Sequence, residues 1–157
     1  MRKLLSGGLV FLAGMASPVA VCTRQQSAAP PADYRQDPRF QALHHFFEKM
    51  DCPAREYLEV FLQAADDYDL DWRLLPSLSY IESTGGKSAR NNNFFGWDSG
   101  RAQFTSPEAA IHEVAYHLAK SSLYRAKNLD GLLATYNPNV AYAHKVKSVM
   151  RRIAPVQ

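Results

Sequence analysis

Glu82 is the residue whose type and position best suit chemistry. It follows Ile81 at the end of a strongly apolar helical stretch, just before Gly85 and Gly86, which favour a helix stop. A carboxyl at that junction can pack partly against the core and still open onto the loop that follows. Burial disfavours the charged form of a carboxyl, and a general acid must carry its proton. The position therefore suits protonation of a glycosidic oxygen, although a surface glutamate near a helix end is the alternative interpretation.

Asp98 is the only other acidic residue between Glu82 and Phe104. In glycoside hydrolysis a second carboxylate commonly activates water beside the general acid. Asp98 is therefore a candidate for positioning water. Because it stands in the sequence Asp98-Ser99-Gly100, a role as a turn residue is the alternative.

Asn93, Phe95 and Trp97 are candidate substrate-binding residues in the same stretch. Aromatic rings provide apolar faces for stacking, and an asparagine amide can both donate and accept hydrogen bonds. The alternative is that some of these rings pack in the core, while the asparagines at 91–93 only shape a turn.

Four segments occur in the order of motifs found in the bacterial glucosaminidase domain, a mannosyl-glycoprotein endo-β-N-acetylglucosaminidase-like domain of the lysozyme-like superfamily. YIES at 80–83, followed by GGK, resembles the Glu-Ser motif of that superfamily. NNFFGW at 92–97 resembles the family's Asn-Asn-Leu-Phe-Gly segment, and FTSPEAAI at 104–111 is similar to the start of the helix after it. The segment 136–146 matches the spacing of the family's Tyr-Ala-Thr-Asp-Pro-x-Tyr-Ala-x-Lys-Ile ending.

The resemblance covers about residues 54–153 and implies hydrolysis next to N-acetylglucosamine in the glycan strands of peptidoglycan. Glu82 carries over as the catalytic acid, Tyr136 as a tyrosine lining the cleft, and Ser83 as a substrate contact. Many family members have a longer lobe that supplies a second carboxylate, for which Asp98 is the candidate here. Asn139 stands where the family has Asp, a difference that we expect to affect only a helix cap.

Two alternatives to this hydrolase remain open. LATYN at 133–137 is similar to the Tyr-Asn segment of lytic transglycosylases, which implies Asn137 as a further substrate contact. Those enzymes share the fold and the single catalytic glutamate, but a hydroxyl of the sugar itself attacks and leaves an anhydro end. The other alternative is a catalytically inactive domain that binds the cell wall, because fold alone does not fix function.

Helices that would position these residues are predicted from apolar spacing and capping residues. We expect helices at 38–50, 129–135 and 139–153, and another whose apolar face includes Leu58 and Phe61. Asp71 is the predicted N-cap of the helix that carries Glu82, and Ser106 begins the next one. Residues 87–105 are predicted to form a loop or small hairpin. The expected fold is all-α and lysozyme-like, with at most a small β lobe.

Residues 1–22 are predicted to be an export signal, so that the protein is periplasmic or extracellular. Arg2 and Lys3 precede an apolar run at 4–13 that is short for a membrane span, a retained membrane helix being the alternative. VAVC at 19–22 resembles a lipoprotein signal from which Val21 departs, so a lipid anchor at Cys22 is a further possibility. Without lipidation, Cys22 can pair with Cys52 in an oxidising compartment.

The remaining chain is divided at residue 50 by composition. Residues 23–50 are predicted to be a tether and an accessory helix, because they begin with a Gln-, Ala- and Pro-rich stretch. Residues 51–157 are predicted to be the lysozyme-like glucosaminidase domain. We expect it to act as a monomer on peptidoglycan strands.

The charge balance argues against a nucleic-acid partner. Two of the 18 Lys and Arg residues lie in the export signal, so without them the net charge falls from +3 to +1. Nucleic-acid binding usually needs a basic face. The five histidines have no metal-ligand spacing, so neither a metal nor another cofactor is predicted.

Overall fold

Six α-helices joined by turns form the part of the chain that the computed structural model describes, residues 33–155. They are α1 (Pro38–Lys49), α2 (Leu58–Asp67), α3 (Leu74–Ser83), α4 (Pro107–Lys120), α5 (Leu129–Tyr136) and α6 (Val140–Ile153). Short 3₁₀ helices at Tyr34–Gln36 and Pro53–Tyr57 precede α1 and α2. Within residues 33–155 the β structure is limited to an isolated bridge between Arg90 and Asn93. The prediction of an all-α fold with at most a small β lobe is confirmed.

Local capping explains where several helices begin. The Asp37, Ser106, Asn128 and Asn139 side chains each accept a hydrogen bond from a backbone N–H in the first turn of α1, α4, α5 and α6. The predicted cap at Asp71 is wrong. Its carboxylate accepts from the Arg73 N–H at 3.0 Å and stabilises the preceding turn, so α3 begins only at Leu74.

The expected boundary at residue 50 is not observed, because α1 belongs to the same compact unit as the other helices. Leu43, Phe46 and Phe47 on α1 are buried in the common core. Arg39 also pairs through both of its terminal nitrogens with Asp66 on α2. Helix α1 is therefore an integral part of the fold rather than an accessory to a tether.

Helix α3 is the most deeply buried of the elements, since every residue from Leu74 to Ser79 is buried. It packs against α6 and α2. Thr84 ends it in the left-handed conformation at φ 53°, and Gly85 follows at φ 60°. A side chain at Gly85 would come within 2.7 Å of the Cys52 Cβ, so only glycine fits this turn. The turn directs the chain from the core into the loop at 87–105.

No helix within residues 33–155 is long and apolar enough to cross a membrane. The predicted export signal, the lipid anchor at Cys22 and the pairing of Cys22 with Cys52 all involve residues outside the described range.

Candidate active site

Glu82 lies at the end of α3 and is held by a hydrogen bond from α6. The Tyr142 hydroxyl donates to Glu82 Oε1 at 2.7 Å. Tyr142 is itself buried, and burial together with the hydrogen bond to Glu82 raises its pKa far above the usual 10.0. The hydroxyl therefore keeps its proton and remains a donor to the carboxylate.

The second carboxyl oxygen of Glu82 faces the backbone of Gly96. A Cβ built at Gly96 would lie 2.9 Å from Glu82 Oε2, and Gly96 has a φ of +59°. The left-handed conformation favours glycine at this position, and a side chain here would displace the Glu82 carboxyl. The two oxygens of Glu82 therefore have different surroundings, with a tyrosine donor at one and the loop at the other.

Two adjoining cavities meet at Gly96. Glu82 lines a pocket of about 190 Å³, whose other lining residues are Ser83, Ser88, Arg90, Asn93, Gly96 and Gly100. The neighbouring groove has a volume of about 410 Å³ and is lined by Gly96, Trp97, Asp98, Ser99, Tyr124 and Tyr136. The carboxyl thus stands beside a larger, aromatic-walled groove.

Tyr136 lines the groove and contacts the loop that borders the Glu82 pocket. It ends α5, and its ring stacks on Tyr142 with 5.9 Å between centroids and 10° between planes. Its hydroxyl donates to the Phe95 carbonyl oxygen at 2.5 Å. Burial, and next the negative charge of Glu82, raises the pKa of Tyr136 well above its usual value. Tyr136 thereby fixes the backbone immediately before Gly96.

Ser83 and Asn93, which were predicted to contact substrate, are buried and use their polar atoms within the protein. The Ser83 hydroxyl lies 2.8 Å from the Phe94 carbonyl oxygen and accepts from the Gly86 N–H at 3.0 Å. The Asn93 amide accepts from the Trp97 N–H at 2.9 Å and donates to the Trp97 carbonyl at 3.0 Å. Buried polar groups need such partners, and these bonds shape the wall of the pocket.

Phe95 does not have the role that was predicted for it. Its side chain is 0% exposed and packs in the core, so it cannot stack on a sugar ring. Its contribution to the site is the backbone carbonyl that Tyr136 contacts. Trp97, by contrast, is partly exposed, lines the groove and stacks on His117 at 5.6 Å. Of the predicted aromatic contacts, Trp97 is the ring that a ligand can reach.

Asp98 and Asn137 lie away from the Glu82 carboxyl pocket. The Asp98 side chain is 57% exposed, pairs with Arg101 at 2.7 Å and lines the groove instead. Its φ of +52° places it in a tight turn, in keeping with the turn-residue alternative. Asn137 is the C-cap of α5, and its side chain accepts from the Asn139 N–H at 3.0 Å. Neither residue lines the pocket of Glu82.

Tyr142, which contacts Glu82, and Arg90, which lines its pocket, were not among the predicted site residues. Tyr142 entered the prediction only through the motif spacing of the segment 136–146. A buried tyrosine hydroxyl normally has a hydrogen-bond partner, and that rule was the available signal. Within residues 33–155, no three His, Cys, Asp or Glu side chains come together as a potential metal site.

Comparison with protein-family models and with curated proteins finds no match to this chain. The resemblance to glucosaminidase domains therefore rests on the four motif segments and remains a prediction.

Proposed function

We propose that this protein is a glycoside hydrolase that cleaves the glycan strands of peptidoglycan, with Glu82 as general acid. The observation that carries the proposal is the position of Glu82 beside an aromatic-walled groove, with its carboxyl oriented by Tyr142 at 2.7 Å. A carboxylic acid with a fixed orientation can protonate the oxygen of a glycosidic bond as that bond breaks.

The two carboxyl oxygens of Glu82 have different roles in this proposal. Tyr142 donates to Oε1, so Oε1 acts as an acceptor and the transferable proton resides on Oε2. Oε2 faces Gly96, where the pocket of Glu82 meets the groove. A sugar strand in the groove would present its glycosidic oxygen to Oε2. Trp97 and the edge of Tyr136 would then contact the sugar rings.

The proposed bond is next to N-acetylglucosamine, as the motif resemblance implies. The predicted export signal supports a substrate outside the cytoplasm, and we propose that the protein acts in the periplasm or outside the cell. The test is mass spectrometry of purified peptidoglycan after digestion. Reducing N-acetylglucosamine ends are expected from the wild type and not from Glu82→Gln. Intact strands with both proteins would contradict the proposal.

A lytic transglycosylase is the second candidate, and the surroundings of Asp98 favour it. An inverting hydrolase commonly uses a second carboxylate roughly 6.5–9.5 Å from the acid to activate water. The pocket of Glu82 has no other carboxylate among the described residues, and Asp98 pairs with Arg101 in the adjoining groove. In a lytic transglycosylase a hydroxyl of the sugar itself attacks, so no second carboxylate is needed to activate water. That mechanism fits this arrangement.

The products distinguish the two candidates. Anhydro-muramyl ends, lighter by one water than reducing ends, would establish the transglycosylase. If hydrolysis is found, Asp98→Asn separates the two hydrolytic routes. We expect near wild-type rates from Asp98→Asn, because the substrate's own acetamido group would do the work of a second carboxylate. A sharp loss of rate would instead establish Asp98 as the residue that activates water.

A further inference from the structure

Four aromatic side chains form a strip that leads away from the groove and across α4. The aromatic strip consists of Trp97, His117, Tyr116 and Tyr68, in that order. Centroids of neighbouring rings lie 5.6, 5.7 and 6.0 Å apart. At its inner end Trp97 lies 5.8 Å from Tyr136, which lines the groove beside Glu82. The strip is therefore continuous with the candidate active site.

Much of the strip is open to solvent. Tyr116 is 50% exposed and the His117 side chain 38%, while Trp97 and Tyr68 are partly buried. Tyr116 is one of three large apolar side chains that are strongly exposed among the described residues, and exposed apolar surface next to a groove is a feature of ligand-binding sites.

The chemistry of the strip suits a carbohydrate. Tyr116 provides exposed apolar ring surface, and hydroxyl, imidazole and indole groups at the edges of the four rings provide hydrogen-bonding atoms. A sugar ring has the same combination of apolar C–H face and polar edge. Because the strip begins in the groove, its ligand and the ligand of the groove can be one continuous strand.

We propose that the aromatic strip binds the glycan strand on one side of the bond that Glu82 cleaves, so that the enzyme selects long strands over short oligosaccharides. This inference rests on the proposed function. The part of the strand at the strip is remote from the reacting bond, and its binding energy is available only to substrates long enough to reach α4.

The chain offers a closely matched control for this proposal. His44 on α1 stacks on Phe40 at 6.3 Å and pairs with Glu48 at i+4, just as His117 stacks on Trp97 and pairs with Glu113 at i−4. His44 lines a groove formed by residues of α1, α2 and the two 3₁₀ helices, and this groove shares no lining residue with the candidate active site. His44→Ala therefore removes a similar contact from a different surface.

The experiment compares binding of N-acetylglucosamine hexamer and dimer by calorimetry, in the Glu82→Gln protein so that the probes stay intact. For Tyr116→Ala/His117→Ala we expect the dissociation constant of the hexamer to rise about tenfold, the size expected for two lost stacking contacts. The affinity for the dimer should stay unchanged, and the double variant should still unfold cooperatively as a folded protein, at a somewhat lower melting temperature because ring contacts are lost. His44→Ala should bind both probes normally. Unchanged hexamer affinity in the double variant, or no hexamer binding by the parent protein, would overturn the proposal.

Cleavage assays on proteins with intact Glu82 distinguish a failure of the aromatic-strip proposal from a failure of the proposed catalytic function. Strip-dependent hexamer binding without any cleavage of peptidoglycan would refute the catalytic proposal and leave the strip as a glycan-binding surface. Normal cleavage of long strands by Tyr116→Ala/His117→Ala would instead refute the strip and leave catalysis intact.

Discussion

At the scale of single residues, Glu82 is defined by contacts from two distant parts of the chain. Tyr142 follows it by 60 residues and holds Oε1, while the backbone of Gly96 borders Oε2. Neither contact neutralises the carboxyl with a positive charge. The Glu82 carboxyl is therefore oriented by a tyrosine hydroxyl at one oxygen and bordered by the polypeptide backbone at the other.

Replacing Glu82 by Gln is expected to remove cleavage while preserving the fold. Gln keeps the size of the side chain and can still accept the Tyr142 hydrogen bond through its carbonyl oxygen. It has no acidic proton for the leaving oxygen, and general acid catalysis is worth about a hundredfold or more. Release of soluble fragments from peptidoglycan and thermal melting provide the two measurements. Near wild-type lysis by a folded variant would exclude Glu82 as the acid.

Tyr142→Phe is expected to lower the turnover rate about tenfold, because Glu82 loses the hydrogen bond that orients its carboxyl. The ring that packs in the core remains, so we expect a much smaller effect on folding. Tyr80→Phe is the matched control, because the Tyr80 hydroxyl contacts the Met50 sulfur rather than Glu82. Steady-state rates of both variants check this prediction. Equal rates for Tyr142→Phe and wild type would show that the hydrogen bond does not serve catalysis.

At the scale of elements, the loop at 87–105 brings Gly96 against the end of α3. Its turns contain left-handed residues that are not glycine, among them Asn91, Asn92, Asp98 and Ser99. Hydrogen bonds of the buried Asn93 side chain link two parts of this loop, the carbonyls of Trp97 and Ala102. The loop is thus held together by its own hydrogen bonds, and it forms one side of the candidate active site.

A comparison of Gly96→Ala with Gly100→Ala separates the effect of backbone strain from the effect of a contact with the Glu82 carboxyl. Both glycines have positive φ, so each substitution should cost about 1–2 kcal/mol of stability. A Cβ at Gly96 meets Glu82 Oε2 at 2.9 Å, whereas a Cβ at Gly100 meets nothing within 4 Å. We expect only Gly96→Ala to lose most of its activity per folded molecule. Urea unfolding and rates at saturating substrate test this, and similar activities of the two variants would contradict it.

The helices were predictable because the signals for them are local. Capping residues such as Ser106 and Asn139 act within one turn, and apolar spacing fixes the buried face of each helix. The place of α1 in the core and the contact from Tyr142 to Glu82 depend on residues distant in sequence. Periodicity cannot indicate which buried faces meet, so the sequence supported Glu82 as a candidate but not the residues that orient it.

At the scale of the whole molecule, one core joins all six helices of residues 33–155 and includes the hydroxyl-bearing rings of the candidate active site. Tyr124 and Tyr142 belong to this core, and Tyr136 packs against it. Burial raises the pKa of each of these tyrosines, chiefly by removing water from the hydroxyl. The stability of the fold is therefore coupled to their protonation.

Stability is expected to be insensitive to these tyrosines below pH 10 and to fall above it. Near the usual tyrosine value of 10.0 the unfolded chain begins to release protons that the folded chain retains. Unfolding is then favoured as the pH rises, because the unfolded state binds fewer protons. Urea unfolding between about pH 8 and pH 11 measures the decline in the free energy of unfolding. This pH range includes the range in which free tyrosine ionises. The Tyr136→Phe/Tyr142→Phe variant should show a shallower decline; an equally steep one would contradict this account.

Cys52 packs against Gly85, in the turn that follows Glu82. The reactivity of the Cys52 thiol can therefore report local opening of that turn. Cys52 is buried, and the tight approach of Gly85 leaves no room for a group added to its sulfur. Burial also raises the pKa of the thiol, so fewer molecules carry the reactive thiolate. In a Cys22→Ser protein, the labelling rate of Cys52 measures how often this turn separates from residue 52. A substrate that stabilises the loop next to Glu82 should slow this labelling. The labelling rate of Cys52 would then report how substrate binding changes the frequency of local opening at this turn.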